Sequence, residues 1–163
     1  MGTKGREIVG VDVPQLLEML NKAFADEWLA YYQYWVGARV ASGRMRGIIA
    51  HELEEHAGEE LEHAEKLAER IQQLGGTPLL NPAEWMKKTN CGYEEPANPN
   101  TVVLLEQNIK GEQCAIETYK KLIDFVRGKD DITYHLIFDI LKDEVEHEED
   151  LEAILEDMKT PVK

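Results

Sequence analysis

The chain has few cysteines and no long apolar run, which excludes several classes of protein. Its 163 residues include two cysteines, too few for the disulfide framework of a small secreted domain. Charges interrupt every apolar stretch, so no segment is a candidate membrane span. Residues 1–10 contain Lys4, Arg6 and Glu7 and no apolar core of a secretory signal. We therefore expect a cytoplasmic protein whose cysteines are free thiols or a redox pair.

Positive charge is also scarce. The 18 Lys and Arg residues face 32 Asp and Glu residues, for a net charge of −14. Such a surface repels a phosphate backbone, and the N-terminal tail is too weakly basic to offset it, so DNA binding is not expected. An acidic chain suits cations, but charge alone favours the simpler interpretation, which is solubility.

Strand-like alternation is missing, and helical spacing of apolar residues predicts an all-α fold. The four long helical segments span residues 12–42, 44–74, 100–127 and 130–158. Asp12 and Asn100 are placed to cap two of them, and Gly128 and Pro161 to end two.

The connections predict the topology. Tight breaks at 42–43 and 128–129 favour two antiparallel hairpins, and the Pro- and Gly-rich stretch 75–99, with a short capped helix at 81–88, is long enough to cross the bundle. Two hairpins joined by a long crossover make a ferritin-like four-helix bundle. The predicted parts are a flexible N-terminal tail, the bundle and a C-terminal tail, at residues 1–11, 12–158 and 159–163.

Two Glu-x-x-His motifs carry the candidate chemistry. They are Glu60–His63 and Glu144–His147, and residues at i and i+3 face the same way on a helix. Each pair can therefore hold one metal ion. In so acidic a chain, one such pair alone is weak evidence.

The spacing of two further glutamates strengthens the hypothesis. Glu27 precedes Glu60 by 33 residues and Glu112 precedes Glu144 by 32, so the second hairpin repeats the first at an offset of 84 or 85. All four lie near the middle of their helices, and the midpoints of antiparallel hairpins share one height. Four buried carboxylates without cations would cost several kcal/mol each. Two divalent metals are therefore predicted in this layer.

These residues, with Glu-Trp-Leu-Ala-Tyr-Tyr-Gln-Tyr at 27–34, resemble the ferroxidase centre of bacterioferritins. The resemblance implies two irons per subunit, one held by Glu27 and His63, one by Glu112 and His147, with Glu60 and Glu144 bridging. Mn or Zn are possible substitutes for iron. Bacterioferritins bind haem through a Met where this chain has Leu61, so no haem is expected.

Two tyrosines repeat with the same period. Tyr34 follows Glu27 by seven residues, and Tyr119 follows Glu112 by seven. Either tyrosine could donate a hydrogen bond to a metal-bound carboxylate and orient it. The alternative is ordinary core packing with a satisfied hydroxyl.

The cysteines resemble those of the Dps-like proteins called thioferritins. Cys114 lies two residues after Glu112, and Cys91 lies in the crossover. The resemblance implies a dodecameric cage, oxidation of Fe(II) by hydrogen peroxide or dioxygen, storage of the ferric product and protection against oxidative stress. Thiols beside such a site are poised for oxidation, which favours a redox pair over incidental thiols. Whether they form a disulfide stays open.

Three other functions are compatible with the same sequence features. One is a non-storing di-iron peroxidase like rubrerythrin, and another is a di-manganese catalase, because carboxylates and His do not separate Fe from Mn. The third is a helical binding module without metal.

An acidic stripe on the second helix has two interpretations as well. It consists of Glu52, Glu55, Glu59 and Glu62, and it either lines a cage and nucleates mineral or is a solvated face. His56 lies seven residues before His63, and either supports the metal site or is a hydrogen-bonded core histidine.

Overall fold

The computed structural model describes residues 2–160, which contain helices and no β-strand. The helices are α1 (Thr3–Glu7), α2 (Val13–Val40), α3 (Arg46–Gln73), α4 (Trp85–Lys88), α5 (Thr101–Val126) and α6 (Asp131–Lys159). The helices α2 and α3 form one antiparallel hairpin, and α5 and α6 form the other. The predicted all-α bundle of two hairpins and a long crossover is confirmed.

Local chemistry sets most helix ends. Side chains of Asp12, Asn100 and Asp130 accept hydrogen bonds from backbone N–H groups in the first turns of α2, α5 and α6. Such caps satisfy donors that have no partner within the helix. Beyond α5, Gly128 takes a φ of 68°, a left-handed conformation that glycine adopts without strain.

The start of α3 differs from the prediction by two residues. The chain was expected to turn helical at residue 44, but α3 begins at Arg46 after Met45, whose φ is 57°. The reason is a distant contact: the Ser42 backbone N–H donates to the Pro99 carbonyl at 2.8 Å, and the Ser42 carbonyl accepts from Thr101 at 3.0 Å. These bonds hold the turn extended beside the start of α5.

Two apolar clusters fill the bundle and leave a polar layer between them. One cluster includes Leu20 of α2 and Ile137 of α6, and the other includes Leu53 of α3 and Leu105 of α5. In each long helix, a short central segment separates the residues of the two clusters. The candidate ligands lie in those segments, so the polar layer is closed by apolar packing on both sides.

The crossover contains the predicted short helix. Asn81 accepts from the Ala83 N–H at 3.0 Å and opens a 3₁₀ turn (Pro82–Glu84) that continues into α4. The Trp85 ring stacks on Trp28 of α2 with centroids 5.1 Å apart. This contact fixes the crossover against the first hairpin.

The N-terminal segment predicted as a flexible tail contains α1, which has no buried side chain. Gly10 donates to the Lys129 carbonyl at 2.7 Å, so the segment is also tied to the turn before α6. The predicted C-terminal tail starts at the last residue of α6, and from Pro161 on it lies outside the described residues. No helix within 2–160 has both the length and the apolarity to cross a membrane.

Candidate metal centre

The structure brings all six predicted ligand residues into the polar layer. Each of these residues is at most 3% exposed. They are Glu27 of α2, Glu60 and His63 of α3, Glu112 of α5, and Glu144 and His147 of α6. One helix from each hairpin therefore supplies a lone glutamate, and the other supplies a Glu-x-x-His pair.

The first half-site surrounds Nδ1 of His63. This nitrogen lies 3.5 Å from Glu27 Oε2, 3.4 Å from Glu60 Oε2 and 3.2 Å from Glu144 Oε1. Three carboxylates and one imidazole thus converge on one point. The four donor atoms lie within 4.8 Å of one another.

The second half-site repeats this arrangement around Nδ1 of His147. That nitrogen lies 3.4 Å from Glu60 Oε1, 3.9 Å from Glu112 Oε2 and 3.9 Å from Glu144 Oε2. Glu60 and Glu144 therefore present one oxygen to each half-site. Two metal ions held in these half-sites would share Glu60 and Glu144 as ligands.

The donor atoms themselves test whether metal ions fit. Buried polar atoms normally have a hydrogen-bond partner, yet one or more inward-facing atoms of every candidate ligand has none: Glu27 Oε2, Glu60 Oε1, His63 Nδ1, Glu112 Oε2, Glu144 Oε1 and His147 Nδ1. Carboxylate oxygens and imidazole nitrogens together suit Fe, Mn and Zn. The donor set fits two divalent ions.

Electrostatics in the layer follow from burial and crowding. Burial, together with the charges of Glu60 and Glu144, raises the pKa of both Glu27 and Glu112 well above the ordinary range. Burial alone would lower the pKa of His147, but its carboxylate neighbours raise it to about 9. Imidazolium therefore offsets part of the negative charge, and a bound metal ion would displace that proton.

On the side that faces away from the other candidate ligands, each histidine ring contacts a carboxylate of the opposite hairpin. His63 Nε2 lies 3.2 Å from Asp143 Oδ2, and His147 Nε2 lies 2.6 Å from Glu59 Oε2. A carboxylate that accepts from Nε2–H fixes the tautomer in which Nδ1 is free for a metal. The hydrogen bonds therefore orient both imidazoles toward the centre.

This role of the two carboxylates was not predicted from the sequence. Glu59 was assigned to the acidic stripe, and Asp143 was not singled out. A signal was present, because Glu59 directly precedes Glu60 and Asp143 directly precedes Glu144, and these pairs obey the 84-residue repeat.

Both tyrosines contact ligand carboxylates, but each reaches across to the other hairpin. Tyr34 donates to Glu112 Oε1, and Tyr119 donates to Glu27 Oε1. Burial and the nearby carboxylates raise the pKa of both phenols well above their ordinary value. Both hydroxyls thus stay protonated and are able to donate.

A disulfide joins Cys91 of the crossover to Cys114 of α5, with Cα atoms 5.7 Å apart. The sequence placed both residues near the centre and left their pairing open. The bond secures the crossover beside α5, on the side of the bundle where α2 and α5 lie.

Asp26 is a further anchor of the crossover that sequence reasoning did not find. Its buried carboxylate accepts from the Thr89 hydroxyl, from Asn90 N at 2.7 Å and Nδ2 at 2.6 Å, and from Cys91 N at 3.0 Å. One side chain of α2 thus orders three consecutive crossover residues. It positions Cys91 for its bond to Cys114.

Asp26→Ala is expected to shift the equilibrium of the two cysteines toward the dithiol by about tenfold or more. Hydrogen bonds to a charged acceptor contribute about 1.5–3 kcal/mol each, and their loss frees the segment that presents Cys91. Thiol content after equilibration in glutathione buffers measures the shift. Glu95→Ala, which removes an exposed carboxylate from the same crossover, is the control and should leave the equilibrium unchanged.

A cavity of about 340 Å³ leads from the surface to the polar layer. It lies between α2, α5 and the crossover, and its outer lining includes Tyr93, Glu94 and Lys110. Its inner lining consists of four candidate ligands, Glu27, Glu60, Glu112 and Glu144. Small species therefore reach the centre from the α2–α5 side.

Comparison with known sequences shows the family of the chain. A model of the ferritin-like domain matches residues 17–160. A DNA protection during starvation protein from Pyrococcus furiosus is 35% identical over 153 residues, which cover 91% of this chain and 81% of the relative. A bacterioferritin from Rhodobacter capsulatus is 30% identical over 140 residues, 85% of this chain and 81% of the relative.

Comparison with solved structures leads to the same family. The bacterioferritin-related protein from Bacteroides fragilis, described as a dodecameric thioferritin, matches with a TM-score of 0.94 and 43% identity, over 96% of this chain and 95% of that one. The predicted resemblance to Dps-like proteins and bacterioferritins is confirmed. The chain belongs to the ferritin-like family.

Proposed function

We propose that the protein is a ferroxidase that oxidises Fe(II) in its central layer and stores the Fe(III) product in a homo-oligomeric cage. The observation that carries the proposal is the pair of half-sites that share Glu60 and Glu144, each with an imidazole and a glutamate of its own. Its membership of the ferritin-like family supports a role in handling iron.

The geometry suits a two-electron reaction with Fe(II) as substrate. Two Fe(II) ions, one per half-site, supply the two electrons that reduce one hydrogen peroxide to two waters, with the uptake of two protons. Because both electrons leave together, no hydroxyl radical is released. This would protect the cell from oxidative stress, and dioxygen is the alternative oxidant.

The protein contributes by positioning the two iron ions and by surrounding them with carboxylates. The shared carboxylates hold the two ions next to each other, and the tyrosine hydroxyls and the carboxylates behind the imidazoles hold the ligands still. Four buried carboxylates favour Fe(III) over Fe(II), because the attraction grows with ion charge and is less screened there than in bulk water. Oxidation is thereby driven forward.

A cage is supported by the likeness to the dodecameric thioferritin from Bacteroides fragilis. We propose the same assembly here. Native mass spectrometry should give a mass near twelve subunits, and iron added with peroxide should stay with the protein through gel filtration. A small oligomer that leaves its ferric iron in solution would contradict storage.

The ligand assignment is tested by Glu60→Ala combined with His63→Ala. Anaerobic Fe(II) loading followed by peroxide should show oxidation slowed by at least about 100-fold, since even partners behind the ligands contribute 10–100-fold. The control, His51→Ala with Glu55→Ala, removes an exposed His–Glu pair from the same helix and should oxidise iron at the parent rate. Equal rates in all three proteins would show that the centre is wrongly assigned.

A further inference from the structure

The cavity between α2, α5 and the crossover changes in character along its length. Its inner end reaches the four glutamates of the candidate centre. Beyond them the lining contains Lys110 and the acidic residues Asp26 and Glu94, and the carboxylate of Asp26 is engaged by the crossover. The other polar groups of this outer part are amides and a phenol. Such a lining suits a small uncharged molecule, because amides offer both hydrogen-bond donors and acceptors.

Three hydrogen bonds in series link the walls of this cavity. The Glu94 backbone N–H donates to Gln33 Oε1 at 3.0 Å, and Gln33 Nε2 donates to Asn108 Oδ1 at 3.0 Å. Asn108 Nδ2 in turn donates to the Leu104 carbonyl at 2.8 Å. Each amide is fixed in one orientation, because its oxygen accepts while its nitrogen donates. The contact of Gln33 with Asn108 is therefore a defined bridge from α2 to α5.

The crossover is tied to both sides of the same bridge. Gln107 of α5 donates to the Glu94 carbonyl, while the Glu94 N–H donates to Gln33 of α2. The bridge also lies next to the candidate centre, because Gln33 directly precedes Tyr34, which donates to Glu112. The width of the cavity near the ligands is thus set by hydrogen bonds and not by loose side chains.

Gly111 leaves space open beside the same ligand. It lies inside α5, where glycine is less favourable than alanine, and it directly precedes Glu112. A Cβ atom at this position would lie 3.9 Å from Gln33 Nε2, an ordinary contact distance, so packing does not require glycine here. A larger side chain would extend into the cavity toward Gln33. The passage is therefore bounded by Gln33 and kept open by Gly111.

We propose that this cavity is the route of the oxidant, and that the Gln33–Asn108 bridge selects the oxidant by size. Hydrogen peroxide passes the bridge, and bulkier alkyl hydroperoxides do not. This inference rests on the proposed function, because it assigns the oxidant of the same centre. An alkyl hydroperoxide that entered would react with the same balance: its O–O bond breaks, two Fe(II) become Fe(III), and two protons are taken up to give an alcohol and water. The selection is therefore one of access.

The first test compares hydrogen peroxide with tert-butyl hydroperoxide as oxidants of full-length protein loaded anaerobically with Fe(II). Gln33→Ala should raise the rate with tert-butyl hydroperoxide by about tenfold or more, the scale on which fitted sites discriminate by size. The rate with hydrogen peroxide should stay near that of the parent. Stopped-flow absorbance of Fe(III) measures both. Gln113→Ala removes an exposed amide from α5, and this control should keep the parent's ratio of the two rates.

The second test closes the passage. Gly111→Leu should slow oxidation by hydrogen peroxide by at least about tenfold, since the added side chain occupies the space beside Gln33. Adding Gln33→Ala to Gly111→Leu should restore the rate, because the leucine then has the space of the missing amide. A damaged centre would not be rescued in this way. A Gly111→Leu protein as fast as the parent, or one that Gln33→Ala does not restore, would overturn the route.

Failure of the proposed function gives a different result, in which none of these proteins oxidises iron faster than buffer does with either oxidant. Access is then measured without iron, from the absorption bands of Co(II)-loaded protein. The probes are hydroxylamine and N-tert-butylhydroxylamine, which have the shapes of the two oxidants. The bands of the parent should respond to hydroxylamine alone, and those of Gln33→Ala to both. Equal responses of the parent to both probes, or a Gln33→Ala protein with the parent's ratio of oxidation rates, would overturn the size selection.

Discussion

Asp130→Ala is expected to lower the free energy of unfolding by about 3–5 kcal/mol, the usual cost of removing one partner from a buried ion pair. Both carboxylate oxygens of Asp130 accept from Arg70 Nη2, at 2.9 and 2.8 Å, and both residues are at most 5% exposed. The same carboxylate caps α6 by accepting from the Thr133 N–H at 3.1 Å. Without it, a buried guanidinium of α3 has no counter-ion and the start of α6 has no cap.

Asp12→Ala is the matched control, because Asp12 also caps a helix but is exposed and pairs with no cation. Its loss should cost about 1 kcal/mol. Urea unfolding of both variants at neutral pH measures the difference, and equal losses would contradict the role of the ion pair. The pKa of Asp130 is lowered by its hydrogen bonds with Thr133 and Arg70 despite burial. Its stabilisation is therefore complete above the unfolded pKa of 3.8 and is lost as the pH falls below it.

Glu112→Gln is expected to affect activity and stability in opposite directions. Oxidation of Fe(II) should slow by at least about 100-fold, since a neutral amide replaces a charged ligand of the second half-site. The metal-free protein should melt at a higher temperature than the parent. The reason is that Glu112 is buried among like charges, and the amide keeps an oxygen to accept from Tyr34.

The pH dependence of this stability gain has a defined sign. Burial and the nearby carboxylates raise the pKa of Glu112 in the folded state above the ordinary 4.5, so ionisation at higher pH destabilises the folded parent. The advantage of the variant should vanish below the unfolded pKa and grow as the pH rises above it. Calorimetry at several pH values checks this. Glu106→Gln, an exposed change on the same helix, should alter neither rate nor melting temperature.

The sequence predicted the helices well because their ends are set locally. Asp12, Asn100 and Asp130 begin helices through bonds to residues two or three positions away, and such signals are readable in a chain. The start of α3 was missed because Met45 responds to the pairing of Ser42 with Pro99 and Thr101, more than 50 residues away.

The same distinction, between patterns along the chain and contacts between distant residues, applies to the candidate site. The candidate ligands were predicted because helical period and hairpin register bring mid-helix residues to one height, and both are patterns along the chain. Asp26 was not found because its partners lie on the crossover, and Asp143 was not found because its partner His63 lies on another helix. Spacing gives no information about how those elements lie against each other. Tyr34 and Tyr119 were predicted to contact ligand carboxylates. The sequence did not show that each contacts a glutamate of the opposite hairpin, because spacing does not show how the hairpins pack.

The contacts that cross between hairpins give the candidate centre an internal twofold relation. Tyr34 and Tyr119 exchange partners between the halves, and so do Glu59 and Asp143. A single hairpin thus holds the parts of a centre but completes none, and two identical copies would complete it by pairing around a twofold axis. The chain has the form of such a pair joined end to end by the crossover. Because the disulfide bonds the crossover to α5 and not to α2, it makes the two matching halves inequivalent.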